Sequence, residues 1–224
     1  MGKLYTIILS VLLSCLFISS VYAAQPGGAT ITNSGSVGFF PTPTGDSVDL
    51  QSGVIYSANL STEQATFRWV GLFGNVSGTI ILGDADADIF YSWNAKGNLV
   101  YASDEANPDW TSVSDASLGD VISSYPYLNQ GSDNYNVTFV GVSESIGSQI
   151  FSVSSDYATT YTGLSTTWKT YSLKDGADII FVGKIVEDGV AYDGSVADFQ
   201  MIIPEDGVNG DASLTTYNLW VELI

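Results

Sequence analysis

The side chains that could perform chemistry in this chain are almost all carboxylates. The sequence contains 24 Asp and Glu residues, no histidine and one cysteine, Cys15, which lies in the N-terminal apolar run. A Ser-His-Asp triad, a thiolate zinc site and an intrachain disulfide are therefore excluded. Paired carboxylates are the remaining catalytic option, as in glycoside hydrolysis, but the sequence singles out no glutamate in an apolar setting. We predict that the chain is not an enzyme.

Three alternating aspartates are the clearest candidate for a set of metal ligands. Asp84, Asp86 and Asp88 could wrap a hard cation such as Ca²⁺. An EF-hand loop starting at Asp84 would need glycine and glutamate where this chain has Ile89 and Ala95. A second, weaker set consists of Asp206, Asn209 and Asp211. We interpret both sets as polar connections between strands and predict no metal site and no cofactor.

Exposed tryptophan would allow the chain to bind polysaccharide, because flat aromatic rings stack on sugar faces. Trp110 and Trp168 lie in polar stretches and are the candidate ligand-binding residues. The alternative for both is partial burial at a strand end. The other tryptophans, Trp69, Trp93 and Trp220, fall within predicted strands and are interpreted as packing residues.

Three sequons of the N-x-S/T type predict glycosylation at Asn59, Asn75 and Asn136. Asn75 has the strongest case, because Gly74 and Gly78 flank its sequon and indicate a turn. In a secreted archaeal or eukaryotic glycoprotein each acceptor would lie at the surface. In a bacterial protein the sequons would mostly be inert.

The balance of charge restricts the partners of this protein. Six Lys and Arg face the 24 acids, which gives an acidic chain with a formal net charge of −18 at pH 7. Such a surface repels phosphate backbones and anionic lipid, so we exclude nucleic acid as a partner. Hydrophobic residues make up 45% of the chain, which is enough to form a normal core.

Residues 1–23 have the organisation of a secretory signal peptide. A basic start precedes an apolar stretch, and Val21 and Ala23 fit the small-residue positions before a cleavage site at Ala24. The alternatives are an uncleaved membrane anchor, for which the stretch is short, and a lipoprotein acylated at Cys15, after which apolar residues continue. We predict a secreted, extracellular or cell-surface protein with no membrane segment after cleavage.

The rest of the chain divides into an arm and one domain. Residues 24–51 are rich in Gly, Ser, Thr and Pro. They predict an extended arm, which is either a flexible leader or a strand that pairs with the sheet or with a neighbouring molecule. Short apolar runs between turn residues predict one antiparallel two-sheet β-sandwich over residues 52–224. Residues 117–125 have helical spacing and predict one short helical insertion that ends before Pro126.

Period-two patterning locates the strands of the sandwich. The predicted strands cover residues 53–59, 67–71, 77–82, 89–94, 99–102, 136–142, 149–153, 168–173, 179–186, 198–203 and 216–223. Two further strands are predicted in the arm, at residues 29–32 and 37–40. The last strand alternates most clearly. One face holds Tyr217, Leu219, Val221 and Leu223, and the other holds Asn218, Trp220 and Glu222.

Several sequence blocks resemble a known pattern. They are WVGLFGNVSG at residues 69–78, ILGD at 81–84 and FYSW at 90–93, followed by YDG, ADFQ and IP between residues 192 and 204. Together they resemble uncharacterised secreted β-sandwich surface proteins of archaea, over about residues 67–223. Members of that family often have cysteines near these blocks, which this chain lacks. The resemblance implies an archaeal cell-surface or extracellular β-protein and supplies no activity.

Together these features predict a secreted structural or adhesive protein of the cell surface. The absence of catalytic signatures and the extended arm favour a subunit of an extracellular filament, in which the arm adds as a strand to the sheet of the next copy. The alternative is a polysaccharide-binding module that uses Trp110 and Trp168. The expected partners are therefore further copies of the chain, bound through the arm, or a glycan.

Overall fold

The computed structural model describes residues 25–32, 35, 47, 49, 51–52, 54–62, 65–160, 167–206 and 215–224. The predicted signal peptide, the predicted strand at 37–40 and the candidate ligands Asn209 and Asp211 lie outside these residues. The described part of the protein is mostly β, with 46% of these residues in strands and 9% in helices. The prediction of an all-β, antiparallel fold with a short helical insertion is confirmed.

Fourteen strands are described. In chain order they are β1 (Gly27–Gly28), β2 (Trp69–Gly74), β3 (Gly78–Gly83), β4 (Ile89–Ala95), β5 (Gly97–Ser103), β6 (Ser114–Asp115), β7 (Gly141–Gly147), β8 (Ser152–Thr160), β9 (Trp168–Asp175), β10 (Asp178–Lys184), β11 (Gly189–Val190), β12 (Val196–Ala197), β13 (Phe199–Pro204) and β14 (Asn218–Leu223). Between β6 and β7 lie helix α1 (Leu118–Ser124), a 3-10 turn (Pro126–Asn129) and helix α2 (Tyr135–Thr138).

One large sheet organises the molecule. Its strand order is β1-β14-β5-β10-β9-β8-β7, and β6 pairs with β9 as the eighth strand. Three smaller pairs accompany it, namely β2 with β13, β3 with β4, and β11 with β12. The tight connection from β9 to β10 contains Gly176 at a φ of 59°, a left-handed conformation that glycine adopts without strain.

Both faces of the large sheet are apolar. In β5, Val100 and Ala102 point to one side while Leu99 and Tyr101 point to the other, and all four side chains are buried. We call the core on the first side the helix-side core; its largest members are Trp69, Tyr125, Tyr135, Phe139, Phe181, Phe199 and Met201. The core on the second side, the loop-side core, consists of Leu99, Tyr101, Trp110, Ile146, Tyr171, Leu173, Ile180 and Val182.

The helix-side core is covered by the β2–β13 pair and by the helices. Helix α1 begins with a capping box, in which the Ser117 hydroxyl accepts from the backbone N–H of Asp120 and the Asp120 carboxylate accepts from the backbone N–H of Ser117. The helix buries Val121 in the core and is followed by Pro126, which begins the 3-10 turn. The predicted helix at residues 117–125 is therefore confirmed.

Several predicted strands differ from the structure. The strand predicted at residues 149–153 is mostly the β7–β8 turn, and β8 begins only at Ser152. Residues 136–142 are not one strand, because the Asn134 side chain accepts a hydrogen bond from the backbone N–H of Val137 at 3.2 Å and caps helix α2. Only the end of that stretch enters β7. Residues 54–59 form no strand and are exposed. In the arm, the strand lies at β1 rather than at residues 29–32.

A buried carboxylate ties distant parts of the large sheet together. Glu222 in β14 is 2% exposed and accepts hydrogen bonds from the Tyr101 hydroxyl at 2.7 Å, the backbone N–H of Gln149 at 2.8 Å and the Asn98 amide at 3.2 Å. Gln149 lies in the β7–β8 turn, and its side chain donates to the carbonyl of Leu223 at 2.7 Å. Burial raises the pKa of Tyr101, and the hydrogen bond to Glu222 raises it further. The β7–β8 hairpin is thereby held over the loop-side core.

Candidate functional site

The two tryptophans predicted to stack on sugars are core residues. Trp110 is 5% exposed and meets Tyr101 and Trp220 edge-on, with ring centroids 5.0 Å and 5.4 Å away. Trp168 is 1% exposed, and its indole N–H donates to the carbonyl of Val190 at 2.8 Å. Neither ring has a free face. The expectation that Trp110 and Trp168 are exposed ligand-binding residues is therefore corrected, because side chains distant in sequence pack over both.

The three sequon asparagines lie at the surface. Asn59 belongs to the exposed segment at residues 54–62, Asn75 to the β2–β3 connection, and Asn136 to helix α2. Asn75 lies in an irregular connection between these two strands, which pair with β13 and β4 and not with each other. All three side chains are accessible to a glycosyltransferase, and their modification remains a prediction.

The alternating aspartates form the tip of the β3–β4 hairpin. One carboxylate oxygen of Asp84 accepts the backbone N–H groups of Asp86 at 3.1 Å and of Asp88 at 2.9 Å, and Ala87 takes a φ of 66°. Asp84 therefore closes the turn, as a hydrogen-bonding aspartate commonly does. Within the described ranges, no three acidic or cysteine side chains are grouped so that they could hold a metal ion.

The β3–β4 hairpin exposes an apolar surface. In its register Ile80 lies opposite Trp93 and Leu82 lies opposite Tyr91, so the four side chains share one side. We call these four residues the hairpin face. Leu82 is 50% exposed and Trp93 is 47% exposed, and the rings of Tyr91 and Trp93 have centroids 4.8 Å apart. The interpretation of Trp93 as a packing residue is therefore corrected.

Both strands of the hairpin are uncharged. The opposite side carries Thr79, Ile81, Ser92 and Asn94. Ile89 and Phe90 follow the acidic turn, and the Phe90 side chain is 85% exposed. No residue of β3 or β4 carries a charge, so the only charged groups of this hairpin are the tip aspartates. Apolar strand residues exposed in this number typically mark an interaction surface.

A second accessible feature is the edge of the large sheet at β1. Gly27 pairs with Val221 and Gly28 with Trp220, and the backbone N–H of Ala29 donates to the carbonyl of Leu219 at 2.9 Å. Within residues 25–32 only Pro26 is buried. The segment is therefore joined to β14 chiefly by its backbone. A shallow cleft of about 300 Å³ runs between this segment and β14.

The opposite edge of the sheet is stabilised by an ion cluster. Glu144 in β7 is ion-paired with Lys169 of β9 and Lys184 of β10 and accepts a hydrogen bond from the Tyr171 hydroxyl at 2.7 Å. Lys169 also lies over the Tyr157 ring, 4.1 Å from its centroid. The hydrogen bonds from Lys169 and Lys184 lower the pKa of Glu144 to about 2. Such a carboxylate stays ionised at neutral pH, so its role is structural rather than that of a general acid.

Glu222 is a buried acid that the sequence analysis did not single out. It lies between Trp220 and Ile224 in an apolar run, as a catalytic glutamate would. Its oxygens are already occupied by three donors that belong to the fold. The group therefore acts as a buried anchor of β14 and not as an acid available to a substrate.

The fold and these surfaces define a class: a strand-rich antiparallel protein whose most prominent accessible features are an apolar hairpin and a sheet edge. No family model, no curated protein and no solved structure matches the chain. The likeness to secreted archaeal β-sandwich proteins therefore remains an inference from the sequence blocks. Among the described residues, every helix is too short to span a lipid bilayer.

Proposed function

We propose that this protein is a secreted structural subunit of the cell surface that assembles with copies of itself by strand addition. The segment around β1 of one copy pairs with the outer edge of β14 in the next copy. The observation that carries the proposal is the attachment of β1, which occupies the edge of the large sheet through backbone contacts. The predicted signal peptide supplies the extracellular location.

The attachment of β1 is weak enough to exchange. Its two residues are glycines, which contribute no side-chain packing, and Ala29 adds one more backbone hydrogen bond. Each such bond contributes roughly 0.5–1.5 kcal/mol net, so the whole contact is worth only a few kcal/mol. An edge strand held at this level opens readily and leaves the donors and acceptors of β14 unpaired.

Pairing within one copy and pairing between copies use the same hydrogen bonds. Exchange of an identical element between protomers is therefore a low-cost route to assembly. Because the bonds are made by backbone groups, the contact needs no complementary charge from two chains that each carry a net charge of −18. Salt screens the repulsion that remains, so we expect assembly to strengthen with ionic strength.

A proline substitution tests the proposal. Ala29→Pro removes the backbone N–H that donates to Leu219, whereas the matched control Ala29→Ser keeps it. Electron microscopy and sedimentation of the mature chain should show filaments for the wild type and for Ala29→Ser, and their loss for Ala29→Pro. Polymerisation of Ala29→Pro to the wild-type extent, or a wild type that never polymerises, would contradict the proposal.

Disulfide trapping distinguishes exchange from pairing within one copy. Continuing the β1–β14 register by two residues places Thr30 opposite Asn218. Because the mature chain would contain no other cysteine, the double variant T30C/N218C reports only this contact. Strand addition predicts a ladder of covalent oligomers on a non-reducing gel. A product that is exclusively a cross-linked monomer would show that β1 does not exchange.

A further inference from the structure

The β3–β4 hairpin has no part in the strand addition proposed above. Its strands pair with each other, and the described body contacts it chiefly at its base, where Gly78 lies against Leu223. An isolated two-stranded hairpin is at best marginally stable in water without further packing. The hairpin face is therefore a surface that the described part of the chain leaves largely uncovered.

The hairpin face supplies the apolar centre of an interface, and the residues around it supply the rest of the area. A fully exposed aromatic side chain offers about 150–250 Å² and an aliphatic one somewhat less. With the observed exposed fractions, the four residues of the hairpin face offer roughly 400 Å². Ile89 and Phe90, which lie next to the tip and outside that face, bring the total for the hairpin to roughly 700 Å². The largest apolar patch on a typical monomer is about 300–600 Å², whereas a standard interface buries about 800 Å² per partner.

Charge favours a second copy of this chain as the occupant. A molecule with a net charge of −18 repels its own copies over most of its surface. The strands β3 and β4 carry no charge, so on this hairpin two copies can approach without bringing carboxylates into contact. Two copies present the same apolar surface to each other, as a two-fold contact requires.

We propose that the hairpin face packs against the hairpin face of a second copy across a two-fold axis, with the two tips pointing in opposite directions. The inference rests on the proposed self-assembly but uses a different surface and a symmetric contact. Ile80 and Leu82 of each copy pack against Tyr91 and Trp93 of the other, which removes both apolar faces from water.

The tip aspartates determine the relative direction of the two hairpins. Asp84, Asp86 and Asp88 lie in one turn. Hairpins packed tip to tip would bring six carboxylates together, and like charges at close range oppose association. Hairpins packed tip to base keep the two acidic turns at opposite ends of the contact. The same aspartates oppose insertion of the tip into a membrane, because they would enter the lipid first.

A sugar fits this surface less well than a second copy does. The rings of Tyr91 and Trp93 are inclined by 56° to each other, so they do not form one flat platform. Stacking of a sugar on either ring would also leave Ile80 and Leu82 in water. Packing against an identical face covers all four side chains.

The test introduces an aspartate on one side of the hairpin or on the other and compares the two effects on the dimer Kd. The background is the full mature chain with Ala29→Pro, which blocks strand addition and leaves the hairpin intact. Sedimentation equilibrium should show a monomer–dimer equilibrium. Leu82→Asp places a carboxylate twice in the contact and should raise the dimer Kd by about 100-fold or more. Ser92→Asp adds the same charge to the opposite side and should change Kd by less than about threefold.

The outcomes separate this inference from the proposed function. A chain with Ala29→Pro that stays monomeric up to about 1 mM overturns the hairpin contact and leaves strand addition untouched. Filaments that persist with Ala29→Pro contradict strand addition, while the comparison of Leu82→Asp with Ser92→Asp still decides the hairpin contact. Equal effects of Leu82→Asp and Ser92→Asp on the dimer Kd would also overturn the hairpin contact. So would binding of the hairpin to phosphatidylcholine vesicles in place of dimerisation.

Discussion

Replacing Glu222 with alanine is expected to lower the free energy of unfolding by about 3 kcal/mol. The carboxylate is buried and accepts three hydrogen bonds, and the substitution leaves all three donors without their acceptor. The loss of the hydrogen bond from the Tyr101 hydroxyl contributes most to the destabilisation, because this side chain is fully buried and water cannot replace Glu222.

The individual contributions can be worked out from these contacts. An unsatisfied buried donor costs about 1–3 kcal/mol, so Tyr101 accounts for roughly 2 kcal/mol. Asn98 and Gln149 are less buried and together add roughly 1 kcal/mol. The truncated side chain also leaves a small cavity, while removal of a desolvated charge returns part of the loss. Glu222→Gln keeps an acceptor of the same shape and should cost only about 1 kcal/mol.

Urea unfolding followed by tryptophan fluorescence measures these differences, because Trp110 and Trp220 lie beside Tyr101 in the loop-side core. Tyr101→Phe removes one of the three hydrogen bonds, so the double-mutant cycle of Tyr101→Phe with Glu222→Ala should show a coupling energy of about 1–2 kcal/mol. A loss below about 1 kcal/mol for Glu222→Ala, or additive effects in the cycle, would refute the role of Glu222 as an anchor of β14.

Two further predictions concern stability. Glu144→Gln should cost about 1–2 kcal/mol at pH 7. The pKa of Glu144 is lowered from 4.5 to about 2, so this stabilisation is complete above about pH 4.5 and is lost as the pH falls towards 2. Urea unfolding of both chains should show their difference vanish near pH 2; a difference unchanged between pH 7 and pH 2 would contradict the ion cluster. Gly189→Ala should lower the unfolding free energy by about 1–3 kcal/mol, because a Cβ there would lie 2.6 Å from the buried ring of Trp168. Gly147→Ala, which meets no atom within 4 Å, is its control, and equal unfolding midpoints for the two variants would contradict that contact.

The sequence predicts local structure well where its periodicity is strong. The alternation in residues 216–223 correctly separates Leu219 and Val221, on the helix-side core, from Trp220 on the loop-side core. The helix at residues 117–125 is also predicted correctly, because capping and helical spacing are encoded locally. The strand predicted at residues 136–142 is wrong. The cap at Asn134 begins a helix there and overrides the strand propensity of the residues after it.

The sequence does not predict which strand faces are covered. Trp168 lies in a polar stretch of the sequence and Trp93 in an apolar one, yet Trp168 is buried against β11 and Trp93 is exposed. The residues that bury a strand face come from segments distant in sequence. The period-two pattern of a strand carries no information about those segments. Glu222 shows the same limit. Its side of β14 is predicted correctly, but its burial depends on the β7–β8 turn, which lies more than seventy residues away.

The position of the β3–β4 hairpin along the chain bears on how it meets a partner. The strand before it, β2, is paired along its length with β13, and the strand after it, β5, lies between β14 and β10. At its base, Gly78 and Gly97 pack closely against the side chains of Leu223 and Ile185, which would have to move to admit a methyl group at either position. The hairpin is therefore anchored at both ends, and its direction is set before any encounter. A preorganised element of this kind loses little conformational entropy on binding, which favours a defined geometry over loose association.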